Sequence, residues 1–326
     1  MRRAIGLTLA GLGAFLLVIA VLLRTYVPGQ VLKYPLNEYL VTQLVGHGTD
    51  YFSPSQVQPI TGATMVVTST VKGDAGQGSS STAVWDSFTY LYDETNHARY
   101  SYSIRRFAFD RRTAELITCC GANVDGDSSI RQTGLVGFLW PFGTQPHTYQ
   151  VFDPAMNKAA PARYMGTTTI DGITVYRFVE KVTGARIGTQ TVPRSLVGTT
   201  GSSTVTLPES YTATNTYFVD PDTGAQLNEI QDEHLALTDA SGTQRLLLLN
   251  TSLSFTPQSL AKVVSLDQSA RREIAWLATI VPLIAGVLGL AGLVGGILLA
   301  RPRRDDQPDH EDAAVSAPVP DPDPAI

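Results

Sequence analysis

IAWLATIVPLIAGVLGLAGLVGGILLA, residues Ile274–Ala300, decides how the rest of the chain is read. It runs 27 residues without a charge. As a helix it would be roughly 40 Å long, enough to cross a hydrocarbon core of about 30 Å with some tilt. Arg271, Arg272 and Glu273 bound it on one side, and Arg301, Arg303 and Arg304 on the other. Trp276 sits near one end, where an amphipathic ring favours a membrane interface. A soluble core helix rarely needs such uniform apolarity. The stretch predicts a transmembrane helix over 274–300, and everything before it is then one side of a membrane protein.

A second apolar run, Ala4–Leu23, lies between Arg2-Arg3 and Arg24. Its rival reading is a cleaved signal peptide, but the run is longer than the usual h-region, and its exit (Arg24-Thr25-Tyr26-Val27-Pro28) offers no small-x-small site. An uncleaved helix over 4–23 is expected. Arg2, Arg3 and the terminal amine outweigh Arg24, which places residues 1–3 in the cytoplasm. Two spans put both termini on one side, so 24–273 is expected to be exported across the plasma membrane. Residues 301–326, rich in Pro and Asp, read as a disordered cytoplasmic tail.

Hydrophobic residues make up 43% of the chain and charged ones 16%, and the net charge is −5, which leaves no basic footprint for nucleic acid. Between the spans, Thr, Ser, Tyr and Val favour strands. Pro28–Val45 reads as a linker with a short helix or edge strand. Strands follow over Thr64–Val71, Ala83–Tyr92, Tyr100–Phe109 and Ala114–Cys119. Tyr100-Ser101-Tyr102-Ser103-Ile104 alternates as a half-buried strand does. A hairpin over Arg163–Thr169 and Thr174–Val182 turns at Asp171-Gly172. After a Gly/Ser/Thr loop at Ser195–Thr204 come strands at Tyr211–Val219, Gln226–Leu237 and Thr243–Phe255. Residues 259–272 have helical spacing (Leu260, Val263, Val264, Leu266) and lead into the second span. The fold class is therefore mainly β: an antiparallel β ectodomain between N- and C-terminal transmembrane helices.

Its halves, about 46–130 and 147–256, share one pattern. Phe107-Ala108-Phe109-Asp110, then Thr113 and Leu116, parallels Tyr217-Phe218-Val219-Asp220, then Thr223 and Leu227. Either two related β modules form one curved sheet or a pair of domains, or Asp-initiated turns simply make good hairpins. Between the halves, Arg131–Asp153 clusters Leu, Phe, Trp, Pro and Gly in a way that fits neither strand nor helix. It reads as a buried connection, and Leu135, Phe138, Leu139, Trp140 and Phe142 are the candidate ligand-cavity residues.

An ordered set of short motifs carries a family resemblance: Asp110-Arg111-Arg112-Thr113, Cys119-Cys120-Gly121, Gln132-Thr133-Gly134-Leu135, Trp140-Pro141-Phe142, Tyr149-Gln150-Val151-Phe152-Asp153 and Val175-Tyr176-Arg177-Phe178. In that order, between two terminal helices, they resemble an actinobacterial membrane-protein family of unknown function whose members are often labelled the porin PorA family. The resemblance covers nearly the whole ectodomain and implies no catalytic residue. Two helices could enclose an aqueous pore only by oligomerising, and the expected strands lie outside the bilayer.

No nucleophile elbow, Walker loop, zinc-protease motif or dinucleotide fingerprint occurs. Neither a cofactor nor an enzymatic activity is expected. His47, His97, His147, His234 and His310 are scattered. Asn123-Val124-Asp125-Gly126-Asp127 starts like a calcium loop but has Ser128 at the sixth place and Gly134 at the twelfth, so no metal is expected there. Cys119 and Cys120 are adjacent. Outside the membrane they tend to oxidise, and a bond between neighbours would force a turn that Gly121 could accommodate. Free thiols and pairing between chains are the other outcomes. Gly6, Ala10 and Ala14, and Gly292 with Gly296, allow close helix contact, including a homo-oligomer. The expected function is a non-enzymatic, membrane-anchored envelope protein whose β ectodomain binds or passes lipid or other hydrophobic molecules. A channel component and a structural partner-binding protein are the alternatives.

Overall fold

One kind of turn recurs five times and gives the β domain its rhythm. A strand ends on Asp or Ser, and the fourth residue beyond it takes a left-handed conformation: Ser53 and Val57 (φ 54°), Asp93 and His97 (51°), Asp110 and Ala114 (56°), Asp153 and Asn157 (54°), Asp220 and Gly224 (72°). The terminal side chain caps the turn. Asp110 Oδ1 accepts from the amides of Arg112 and Thr113 at 2.8 and 2.9 Å, and Asp153 Oδ1 from those of Ala155 and Met156 at 2.7 and 3.2 Å. Short polar side chains bonding their own backbone are what make Asp and Ser turn formers.

In this computed structural model, which describes residues 1–26, 29, 32–198, 200 and 203–301, the turns link the strands of one antiparallel sheet. Its strands are β1 (Tyr39–Ser53), β2 (Gln58–Gly73), β3 (Thr82–Asp93), β4 (Ala98–Asp110), β5 (Leu116–Ile117), β6 (Asn123–Val124), β7 (Tyr149–Asp153), β8 (Lys158–Ile170), β9 (Ile173–Pro193), β10 (Thr204–Val219), β11 (Gln226–Thr238) and β12 (Gln244–Phe255). The order is β5-β4-β3-β2-β1-β12-β11-β10-β9-β8-β7, with β6 beside β4. Two meanders therefore meet where β1 pairs with β12, and they curl into a half-barrel. Both halves lie in one curved sheet, and the pair-of-domains alternative does not hold. Strand β1 begins within the stretch read as a linker, and the strand expected over Ala114–Cys119 shrinks to Leu116–Ile117.

Residues 131–145 close one end of this half-barrel. The Leu116 amide donates to Gly134 O, the Leu135 amide to Gln150 O and the Val136 amide to Ala114 O. Leu135 thereby bridges Glu115 on one side and Val151 on the other, joining the two edges of the sheet. Further along, the Trp140 amide donates to Gly224 O and the Phe142 amide to Arg112 O. The connection thus clamps both of the Asp110 and Asp220 turns and covers the sheet edges at β5 and β7. Leu135, Val136 and Trp140 are buried with Trp85, Phe107, Phe109, Phe178 and Tyr217 in the main core, and Trp140 stacks on Phe178 with centroids 4.4 Å apart.

Helix α2 (Pro257–Ala275) follows β12. Thr256 caps it by accepting from the Ser259 amide, and the Gln43 amide donates to Ser259 Oγ at 2.7 Å, fixing its start on β1. Val264 and Leu260 pack with Ile173, Val175 and Leu227. Near its end Arg271 reaches the carboxylates of Asp220 and Asp222 at 2.7 and 3.1 Å.

The other compact unit holds the terminal helices, α1 (Arg2–Thr25) and α3 (Val281–Ala300). Both apolar segments are long enough to cross a membrane. The span expected as one helix over 274–300 instead continues α2 through a π-turn at Trp276–Ile280. Pro282 explains the π-turn, because it has no amide to donate and its ring crowds the preceding turn. Glycines bring α1 and α3 together: a Cβ on Gly13 would lie 2.6 Å from Gly289 O, and one on Gly296 2.6 Å from Gly6 O. The small-residue faces thus pack against each other within the chain. Gly13 takes the place expected for Ala14, which is exposed.

Candidate functional site

The concave face of the half-barrel, roofed by α2 and the 131–145 connection, encloses a cavity of about 760 Å³. Small-molecule sites span roughly 300–1,000 Å³ and are mostly apolar with a few placed polar groups. Strand alternation gives this cavity two unlike walls. Strands β1 to β4 contribute Leu40, Leu44, Val67 and Val71 with Thr42, Ser69, Thr89 and Ser103. Register pairs Thr42 with Ser69, Ser69 with Thr89 and Thr89 with Ser103, so the hydroxyls form one row across four strands. Strands β10 and β11 contribute Tyr211, Asn215, Tyr217, Glu229, Gln231 and Glu233, and β7 adds Asp153. Leu266 and Leu277 of the lining are both exposed.

Of the cavity residues expected from sequence, Phe138, Leu139 and Phe142 line the wall. Leu135 and Trp140 do not; they are buried beneath it, 2% and 0% exposed. Cys119 and Cys120 form a vicinal disulfide beyond β5, at a turn where Cys120 and Gly121 both have positive φ. The described histidines stay scattered, and no group of metal-ligating side chains forms among the described residues. The Asn123–Asp127 stretch makes a hydrogen-bonded turn, with Asn123 Oδ1 accepting from the Gly126 amide at 3.1 Å. His310 and the tail lie outside the described residues.

Sequence reading missed the acids. Glu229 and Glu233 are pushed up to about 7 by burial. Glu180, on the neighbouring strand, is fully buried and accepts from Tyr217 Oη at 2.8 Å. Burial raises both Asp153 and Glu180, and the Asp153 charge raises Glu180 further. Among the described residues none of these four carboxyls forms a salt bridge with a basic side chain. Arg105, across the cavity, is pinned elsewhere: Nε donates to Gln132 Oε1 at 2.7 Å and Nη1 to Val136 O at 3.0 Å. Its guanidinium lies over the rings of Phe107 and Phe152, and burial lowers it to about 9. It ties the connection to β4.

A match to the family described as Porin PorA spans residues 5–298. The chain belongs to the porin PorA family. No curated protein matches it. The match runs through both apolar helices and the whole sheet of this porin PorA member.

Proposed function

We propose that this porin PorA family protein is a membrane-anchored, non-enzymatic protein whose half-barrel binds or passes amphipathic molecules, with both termini in the cytoplasm and the β domain outside. The cavity carries the reading. It has the volume of a small-molecule site, apolar residues from β1, β2 and the connection along its length, and exposed apolar lining residues at Leu266 and Leu277. An acyl chain in the cavity would replace water on Val67, Val71 and Phe138, a gain of roughly 25 cal/mol per Å² of apolar surface removed from water. The test is solvent extraction of the purified full chain followed by mass spectrometry. Stoichiometric lipid is expected, and a chain yielding none at any detergent level would end the proposal.

Orientation is tested separately, in cells lacking the native cysteine pair. A cysteine at Ser80 should react with an impermeant maleimide from outside, whereas one at Ser316 should not. The family's name favours a second reading, an oligomeric channel. Its helices would have to surround water, yet α1 and α3 expose Leu, Val, Ile and Phe almost throughout. Conductance of the reconstituted protein in planar bilayers would establish that reading over ligand carriage.

A further inference from the structure

On the β10–β11 wall of the cavity the unpartnered polar atom among the described residues is an acceptor, Asn215 Oδ1, while the unpartnered donor of the lining, Arg105 Nη2, belongs to β4 across the cavity. Asn215 on β10 pairs in register with Gln231 on one side and Glu180 on the other, which seats it between Glu229 and Glu233 of β11. It is 6% exposed, lines the cavity, and its Oδ1 accepts no hydrogen bond. Glu229 has both oxygens engaged, by Gln231 Nε2 at 2.7 Å and Gln226 Nε2 at 2.9 Å, but amides do not neutralise its charge. Among the described residues Glu233 accepts one hydrogen bond, from Tyr211 Oη at 3.4 Å from Oε1. Asp153 lies close enough to add repulsion to Glu229 and Glu233 alike.

Glu229 and Glu233 are part-buried, and carboxyls drawn out of water without a cation are costly to ionise, a cost they avoid by taking up protons or by finding a positive partner. A group that satisfies this wall must donate hydrogen bonds and carry positive charge. A protonated primary amine does both, since it has three donors and no acceptor. A polyol would donate but leave the charge uncompensated. A carboxylate or phosphate would repel.

We infer that the cavity takes an amphiphile bearing a basic nitrogen, its ammonium seated at Asn215 between Glu229 and Glu233, and its apolar chain running over Leu44, Val67 and Phe138. The inference rests on the cavity's being a ligand site, as proposed above, and adds the charge of the headgroup.

Four probes of equal chain length separate the two claims: octylamine, octanol, octyl glucoside and octanoate. Each is titrated near pH 8, where the amine remains an ammonium and carboxyls shifted to about 7 are mostly ionised, into the full chain in nanodiscs of a zwitterionic lipid. Tryptophan fluorescence is the readout, because Trp85 lines the cavity, and empty nanodiscs correct for partitioning. Octylamine should bind about tenfold tighter than octanol or octyl glucoside, and octanoate weakest of all. In Glu229→Gln/Glu233→Gln the advantage of the amine should fall below about threefold, with octanol binding unchanged. Equal binding of octylamine and octanol by the unaltered chain would overturn the inference and leave the cavity reading standing, and so would octyl glucoside matching the amine. Octanoate binding tightest would do the same. If none of the four binds, both fall.

Discussion

Val57 occupies a left-handed turn position with φ of 54° while 55% exposed. A β-branched residue there is strained by roughly 1–2 kcal/mol, so Val57→Gly should raise stability by about 0.5–1 kcal/mol despite glycine's greater freedom when unfolded. Gly224 occupies the same place in the Asp220 turn, but with no room. A Cβ would lie 2.8 Å from Tyr34 Oη and 2.9 Å from Pro141 O, and the residue's own carbonyl accepts from Trp140. Gly224→Ala should therefore be destabilising by about 2 kcal/mol or more. Urea denaturation of both variants gives the comparison; matching effects would mean the two turns are not packed differently. Two of these turns were legible in the sequence, at Asp110 and Asp220, because each has Thr at the third place after the Asp and a Leu on the returning strand. Ser53, Asp93 and Asp153 end their strands in the same way, but with Gln56, Asn96 and Met156 where Thr marks the other two turns. Glu229 and Glu233 gave no signal, because Gln226–Thr238 carries polar residues on both faces and alternation cannot tell which one faces the cavity.

Helix α2 was legible from the spacing of Leu260, Val263, Val264 and Leu266, whereas its docking was not, since that depends on side chains from another turn. Arg271 pairs with Asp220, whose side chain is fully buried, and Asp267 accepts from Thr223. Arg271→Ala leaves Asp220 buried without its cation. A cost of about 1–3 kcal/mol is expected, discounted because Arg271 is itself part-exposed. Hydrogen exchange across 257–275 should speed up selectively, and unchanged protection would mean the ion pairs contribute little to holding α2. Both apolar helices could be read from hydropathy alone. The π-turn could not, because Pro282 within an apolar run is compatible with several local accommodations.

At the scale of the molecule, the antiparallel strands were mostly legible, but the closing of two edges through Leu135 was not, since it pairs residues distant in sequence across an irregular segment. That closure creates the cavity, and the cavity's acids make stability depend on pH. Glu229 and Glu233 rise from 4.5 to about 7 and Asp267 from 3.8 to about 7, with burial as the leading cause in each. A group whose folded value is raised holds a proton that the unfolded chain has released, so its contribution is full below the ordinary value and is lost as pH rises through 7. Asp74, Asp93, Asp110 and Asp127 are lowered and act in the opposite sense, but only at pH below their ordinary 3.8. The melting temperature of delipidated protein should therefore fall between about pH 5 and pH 8, with a loss on the order of 1 kcal/mol per pH unit. A flat or rising profile would mean that these carboxyls are hydrated in the folded state. The most direct test of the ligand reading places a photo-crosslinking benzoylphenylalanine at Phe138, inside the cavity, and a control at Val57 in its exposed turn. After irradiation of intact cells, mass spectrometry should find an amphiphile attached at position 138 and none at 57; adducts at neither position, or equally at both, would contradict a ligand held in the half-barrel.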